Sequence, residues 1–418
     1  MATTYVPRIA DSELTQRLKV GGAVLIEGPR ACGKTELARR QSASEVLLDV
    51  DQNAHEAILV DPRILLEGAT PRLIDEWQTE PAIWNHVRHA IDERRLRGQF
   101  ILTGSSVPAD EVTRHTGAGR ISRLRLRTMS SFETGFSTGE VSLHALMRGN
   151  FDGCRQSSVS IGELVESTCR GGWPADLESA LGETMIARAD YLDEICRADI
   201  SRVDGVSRNP ENVRRLLRSL ARNVATSASA RTLTQDVAGE ARALNIDTVL
   251  GYLAALERLL VIESQPAWSP RLRSRSALRK SAKRHFVDPS LAAAALGATP
   301  DRLLADLAYF GCLFESLVYR DLSVYARACD AALYHYRDNT NLEVDIIVQN
   351  RQGGWCAFEV KLGAGQVDAA ARNLLKLGER VDAESMGEPR SLVAVVGSGY
   401  GYQRADGVIV LPITALGP

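Results

Sequence analysis

The stretch Ala23-Val24-Leu25-Ile26-Glu27-Gly28-Pro29-Arg30-Ala31-Cys32-Gly33-Lys34-Thr35 decides the reading of this chain. An apolar run ends at Gly28, and the residues from there to Thr35 fit the pattern GxxxxGK[ST]. From Thr35 to Arg40 the pattern turns helical. Strand, glycine loop and helix form the context in which this motif cradles phosphates. Glycines let the backbone curl so that several N–H groups face one anion. The start of the following helix adds positive potential. Lys34 is expected to reach the β- and γ-phosphates, and the Thr35 hydroxyl to ligate Mg²⁺. Gly28, Pro29, Arg30, Ala31, Cys32, Gly33, Lys34 and Thr35 are thus the expected binding loop for ATP with magnesium.

Residues 1–130 alternate apolar runs with helical patterns, which predicts a parallel sheet with helices on its faces. Strands are expected at Ala23–Ile26, Val46–Val50, Arg72–Asp75 and Gln99–Thr103, with helices at Thr35–Arg40 and Ile83–Leu96. The third strand ends in two acids. Asp75 suits the metal shell and Glu76 the orientation of an attacking water; two solvated acids at a strand end are the plainer alternative. Thr103 and Ser105, where the next strand leaves the sheet, are candidates to face the γ-phosphate, against an ordinary polar exit. Arg120, in a glycine-rich loop, is a candidate to stabilise charge on the transferring phosphoryl group, against a solvated basic face shared with its neighbours.

These motifs together resemble the AAA-type ATPases of the archaeal-ATPase-like group, which carry a C-terminal domain of unknown function. The resemblance rests on EGPRACGKTELARR, RLIDEWQTEPAIW, FILTGSS and GAGR, and extends over nearly the whole chain. It implies that Tyr5 and Arg8, in the stretch before the loop, lie near the adenine. It also marks Gly171-Gly172-Trp173-Pro174 as a family turn. Cys32 stands where relatives often have a small aliphatic residue.

Beyond residue 130 three further regions are expected. Residues 131–205 read as a helical lid or connector. Residues 206–300 resemble a winged helix: a helix from Thr232, a turn at Leu244–Ile246, a helix capped by Asp247, and a wing beginning at Val261. The segment after Trp268 carries Arg271, Arg273, Arg275, Arg279, Lys280, Lys283 and Arg284 without an acid among them. Such a wing suits DNA phosphates; a solvated loop is the plainer reading. Asp288 reads as a helix cap.

Residues 301–418 predict a small α/β domain. Glu315, Asp345, Glu359 and Lys361 form a second constellation. Strand alternation puts Glu359 and Lys361 on one face. Carboxylates there suit a hard cation, and the lysine suits charge on a transition state. The order Glu, Asp, Glu-x-Lys resembles the PD-(D/E)xK restriction-endonuclease-like fold, although Val344 stands where the naming proline would. An active nuclease, a nuclease-like binding module and simple surface charge all remain open at this level.

The fold class expected is therefore α/β: a P-loop sheet, a helical connector with a winged helix, and a PD-(D/E)xK-like domain. The composition is that of an ordinary globular protein, with 44% hydrophobic and 24% charged residues and a formal charge of −2. Seven scattered cysteines without a CxxC pair argue against a disulfide framework or structural zinc, and point to a reducing, cytoplasmic setting. The longest apolar run, Leu291–Leu296, is far too short for a membrane span. Three readings of function follow: an ATP-hydrolysing switch that governs DNA engagement, an ATP-regulated metal-dependent nuclease, and a non-catalytic ATP-binding scaffold. Self-association is expected if an arginine acts across a subunit interface.

Overall fold

Strand β1 (Ala23–Glu27) buries successive side chains on alternate faces. Ala23 and Leu25 join one apolar cluster with Ile74, Trp77, Trp84, Phe100 and Leu102. Val24 and Ile26 join another with Leu14, Leu18, Leu37, Leu73 and Ile101. A strand covered on both sides reads as continuous apolar sequence, which is why this one was legible. The computed structural model describes residues 5–105, 117–203, 205–238, 245–269 and 281–418.

The chain forms two units. The N-terminal unit comprises Met1–Thr128, Asp199–Ser207 and Ala255–Val261. Its sheet adds β2 (Ser44–Leu47), β3 (Arg72–Asp75), β4 (Phe100–Gly104) and β5 (Ile121–Arg125) to β1, in the order β2-β3-β4-β1-β5, all parallel. β4 therefore lies between β1 and β3, and the C-terminal ends of all three open at the same edge. Loops at that edge of an open parallel sheet are where ligands bind.

The C-terminal unit comprises Met129–Ala198, Arg208–Ala254 and Ile262–Pro418. Its strands are β6 (Val141–Ser142), β7 (Cys154–Ser157), β8 (Ile262–Gln265), β9 (Lys283–Phe286), β10 (Ala331–Arg337), β11 (Glu343–Asn350), β12 (Trp355–Lys361), β13 (Ser391–Val396), β14 (Gly399–Gln403), β15 (Ile409–Pro412) and β16 (Leu416–Gly417). A mixed sheet runs β10-β11-β12-β13-β15-β14-β7. The hairpin between β11 and β12 closes as expected, with Asn350 N–H donating to the Gly354 carbonyl at 2.9 Å. The helix Val367–Arg380 covers one face, burying Ala370, Leu374 and Leu377 with Ala357 and Ala394.

Residues 131–205, expected to be a helical lid or connector, are largely helical but also contribute two short strands to the C-terminal unit. β6 pairs with β16, and β7 extends the C-terminal sheet through β14. Both strands are short, so their alternation was too brief to register. The glycine turn is likewise built into this unit. Gly172 N–H donates to Asp288 at 3.0 Å, and Trp173 Nε1 donates to Ser290 Oγ at 3.2 Å. Asp288 is the expected cap, accepting from Ser290 N–H at 3.0 Å, and it also faces Arg320 at 3.1 Å.

In the middle of the chain lie helices Pro210–Arg222, Ala230–Ala238 and Ile246–Arg258, followed by β8 paired antiparallel with β9. Asp247 is inside its helix. Asn245 instead offers the side-chain oxygen, accepting from Asp247 N–H at 3.2 Å. All seven cysteines are free, and no helix among the described residues is long and apolar enough to cross a membrane.

Candidate nucleotide site and a second charge cluster

The loop after β1 keeps its shape through residues around it. Gly33 caps the helix Lys34–Arg39 at φ 94°, where a β-carbon would be strained. A β-carbon on Gly28 would collide with the Leu126 carbonyl oxygen and sit 2.8 Å from Cys32 Sγ. Arg8, buried to 6% exposure, donates to the carbonyl oxygens of Cys32 at 3.0 Å and Arg127 at 2.9 Å. Arg8 thus braces the loop from behind. Tyr5 donates to Asp11 at 3.0 Å, with Arg40 4.7 Å above its ring. Burial first, then Asp11, raises the Tyr5 hydroxyl above its ordinary pKa. Burial also pushes the Cys32 thiol up.

Lys34 folds back on its own loop, donating to the Pro29 carbonyl at 2.9 Å. Arg30 points away to Asp199 at 2.8 Å, an acid only 1% exposed. Thr35 Oγ1 donates to Asp75 at 3.0 Å, and the Thr103 hydroxyl donates to the same carboxylate. Thr103 Oγ1 also accepts from Glu76 N–H at 3.1 Å. Glu76 stands at φ 50°, a left-handed conformation uncommon for its type and often found at functional sites. Its Oε2 accepts from Ser105 Oγ at 3.2 Å and from the Gln78 amide. Oε1 has no bonded partner among the described residues.

The strand order therefore brings together the loop, Asp75, Glu76, Thr103 and Ser105. Sequence reasoning missed Gln78 and Asp199. Gln78 had only its spacing from Glu76 as a signal, and Asp199 is remote in the chain. The Thr35 hydroxyl and Asp75 carboxylate are donors a hard divalent ion would accept, with phosphate and water supplying the remaining ligands. The donor set fits the ion.

Arg120 is a correction. Its carbonyl accepts from Gly22 N–H at 3.1 Å and Ala23 N–H at 3.2 Å, at the start of β1, whereas the phosphate loop follows its end. Its guanidinium pairs with Asp92 at 2.6 Å. A five-residue strand separates it from the loop, roughly 16 Å at 3.3 Å per residue. It does not reach the phosphate edge of its own sheet.

In the C-terminal unit Glu315, Asp345, Glu359 and Lys361 do converge, but not around a space for an ion. Lys361 Nζ lies 2.8 Å from Glu359 Oε2 and 3.5 Å from Asp345 Oδ2. Val360 N–H donates to Asp345 Oδ2 at 2.9 Å, and Asn373 donates to Glu359 Oε1 at 3.1 Å. Lys283 enters from β9, 2% exposed, with Nζ 2.8 Å from Glu315, 2.9 Å from Glu343 and 3.5 Å from Asp345. Burial raises Glu359 to about 9 and Glu315 to about 7, each reinforced by Asp345. Burial pushes Asp345 up as well, yet Lys283 and Lys361 outweigh it and hold that acid down at about 2. Among the described residues, no group of three or more His, Cys, Asp or Glu side chains is arranged to hold a metal. The second metal site expected at Glu315, Asp345 and Glu359 is thus not formed as such.

Lys283 is also a correction to the basic wing, since its charge is spent inside the protein. Arg284 is half-buried and donates to the Ala228 carbonyl at 2.7 Å. Arg271, Arg273, Arg275, Arg279 and Lys280 lie outside the described residues.

The parallel sheet and its phosphate loop define a P-loop nucleotide-binding domain. Consistent with this, the model for the AAA domain matches residues 21–134. Two domains of unknown function follow, DUF8612 over residues 161–302 and DUF4143 over residues 310–416. Uncharacterized proteins of Mycobacterium tuberculosis and Mycobacterium bovis are each 26% identical over 361 residues, covering 85% of this chain and 73% of theirs. Among solved structures, a Walker-type ATPase of Pyrococcus abyssi matches with TM-score 0.45 and 14% identity, covering 70% of this chain and 96% of that one. Drosophila ORC bound to DNA matches with TM-score 0.21 and 12% identity, covering 64% and 86% respectively. Likeness at these scores carries no functional argument.

Proposed function

We propose that the chain is an ATP-hydrolysing switch whose nucleotide state sets how its C-terminal unit engages DNA. The observation that carries the hydrolytic reading is the convergence of the Thr35 and Thr103 hydroxyls on Asp75, with Glu76 beside them. Mg²⁺ bound with ATP would neutralise charge across the β- and γ-phosphates. The chain's own residues do the rest. Lys34 exchanges the Pro29 carbonyl for phosphate oxygens. Asp75 and Thr35 orient the metal shell. Glu76, fixed through Oε2 by Ser105 and Gln78, keeps Oε1 to orient a water and accept its proton. The adenine would lie toward the Tyr5–Arg8 stretch.

The DNA half of the reading is supported by Arg271, Arg273, Arg275, Arg279 and Lys280, which follow two helices and precede the closing strand of a hairpin. That order suits a winged helix. The order helix, three antiparallel strands, helix, parallel strand in residues 307–396 supports a restriction-endonuclease-like C-terminal domain. The test is ATP turnover by wild type and Glu76→Ala, each with and without duplex DNA. We expect wild-type turnover to respond to DNA, and Glu76→Ala to keep binding ATP while losing turnover. Background turnover in both, indifferent to DNA, would favour the non-catalytic scaffold instead.

A further inference from the structure

The acids of the C-terminal unit are those by which a nuclease of this fold would hold a divalent metal, yet an ammonium already stands among them. Lys283 Nζ faces Glu315 Oε1, Glu343 Oε1 and Asp345 Oδ1 at 2.8, 2.9 and 3.5 Å. The first two distances are those of charge-assisted hydrogen bonds. A metal shared by Glu315 and Asp345 would require oxygens at roughly 2.0–2.6 Å, in the same space. It would also place a double positive charge against a buried ammonium, where low dielectric makes repulsion large. Asp345 has no oxygen to spare. Oδ1 faces Lys283, while Oδ2 faces Lys361 and the Val360 N–H.

The lysine is anchored rather than loosely inserted. β9 is paired with β8 from Lys283 to Phe286. His285, on the same side two residues on, is wholly buried between Ser316 Oγ at 3.2 Å and Gln265 Oε1 at 3.0 Å. Its ring stacks on Tyr319 at 4.0 Å. Gln265 in turn donates to the Asp345 carbonyl at 3.0 Å. An unpaired buried lysine would be strongly unfavourable, so the three acids and the lysine hold one another in place.

We propose that Lys283 is the resident cation of this cluster, standing where a restriction-endonuclease-like domain would hold its metal, so that the site binds no divalent ion and cuts no phosphodiester by metal chemistry. The proposal rests on the reading of the C-terminal fold but not on ATP hydrolysis, and is tested without nucleotide. Mn²⁺ binding to the full-length chain is followed by the loss of the free-ion paramagnetic resonance signal. Wild type, Asp345→Asn, Lys283→Met, Lys283→Arg and the double variant Lys283→Met with Asp345→Asn are compared. Wild type and Asp345→Asn should bind Mn²⁺ equally poorly. Lys283→Met should gain a Mn²⁺ per chain that the double variant loses, while Lys283→Arg gains none. Wild-type binding that Asp345→Asn abolishes would overturn the proposal. So would a folded Lys283→Met that gains nothing. If Lys283→Met fails to fold, the comparison of wild type with Asp345→Asn decides alone.

Discussion

Lys34 donates to a carbonyl of its own loop, and a phosphate would offer it a charged acceptor instead. A hydrogen bond to a charged group contributes about 1.5–3 kcal/mol. Lys34→Ala should therefore weaken ATP roughly 10- to 100-fold, read by titration with a fluorescent nucleotide; unchanged affinity would remove the site assignment. Thr103 has a different duty. Its hydroxyl serves Asp75 and receives Glu76 N–H, so it aligns the two acids and need not touch ATP. Thr103→Val should leave ATP affinity within a few-fold and lower kcat on the order of tenfold or more, read in steady-state turnover. The loop after β1 was legible in the chain because its motif is long and its flanks are regular, and the strand ending at Asp75 because its centre is apolar. Gln78 was not, because a single amide in a turn has no periodicity.

At the scale of elements, β1, β3 and β4 were found nearly residue for residue, since burial on both faces writes an apolar run. β2 begins two residues earlier than expected, and β5 was not expected at all. β5 is an edge strand with Ser122 and Arg123 at its centre, so its apolar signal is interrupted. Arg120 was misplaced for a related reason: a glycine-rich loop looks alike at either end of a sheet. The turn at Gly171-Gly172 shows the opposite case, where small residues report close packing. A β-carbon on Gly172 would run into the Met129 backbone. Gly172→Ala should destabilise the C-terminal unit by about 1–3 kcal/mol and lower its Tm by several degrees, measured by thermal unfolding.

Across the whole molecule the buried acids should make stability depend on pH. Glu359 faces Lys361, Asp345 and Asn373, and Glu315 faces Lys283 and Asp345. Both acids titrate higher in the folded chain than in the unfolded chain. Folding therefore favours their protonated forms, and stability falls as pH rises from about 4.5 through 7 for Glu315 and 9 for Glu359. Asp345 has the opposite sign and costs stability only as pH drops from 3.8 toward 2. Chemical denaturation should show the C-terminal unit less stable at pH 9 than at pH 6. Glu359→Gln should flatten that difference, and a slope unaltered by it would contradict the assignment. The cluster itself was legible only in part. Its acids lie in a recognisable order, but the lysine that balances them sits in a basic run, where a reader counts it with its neighbours.

The passage of β6, β7 and Lys283 into the C-terminal unit bears on how such a chain could be inherited. The segment Phe310–Leu416 looks like a portable cassette. Recombination that carried it alone would leave β14 and β16 without their outer strands. It would also leave Glu315, Glu343 and Asp345 without the ammonium that balances them. The segment that looks self-contained is thus completed, in its sheet and in its charge, only by residues upstream of it.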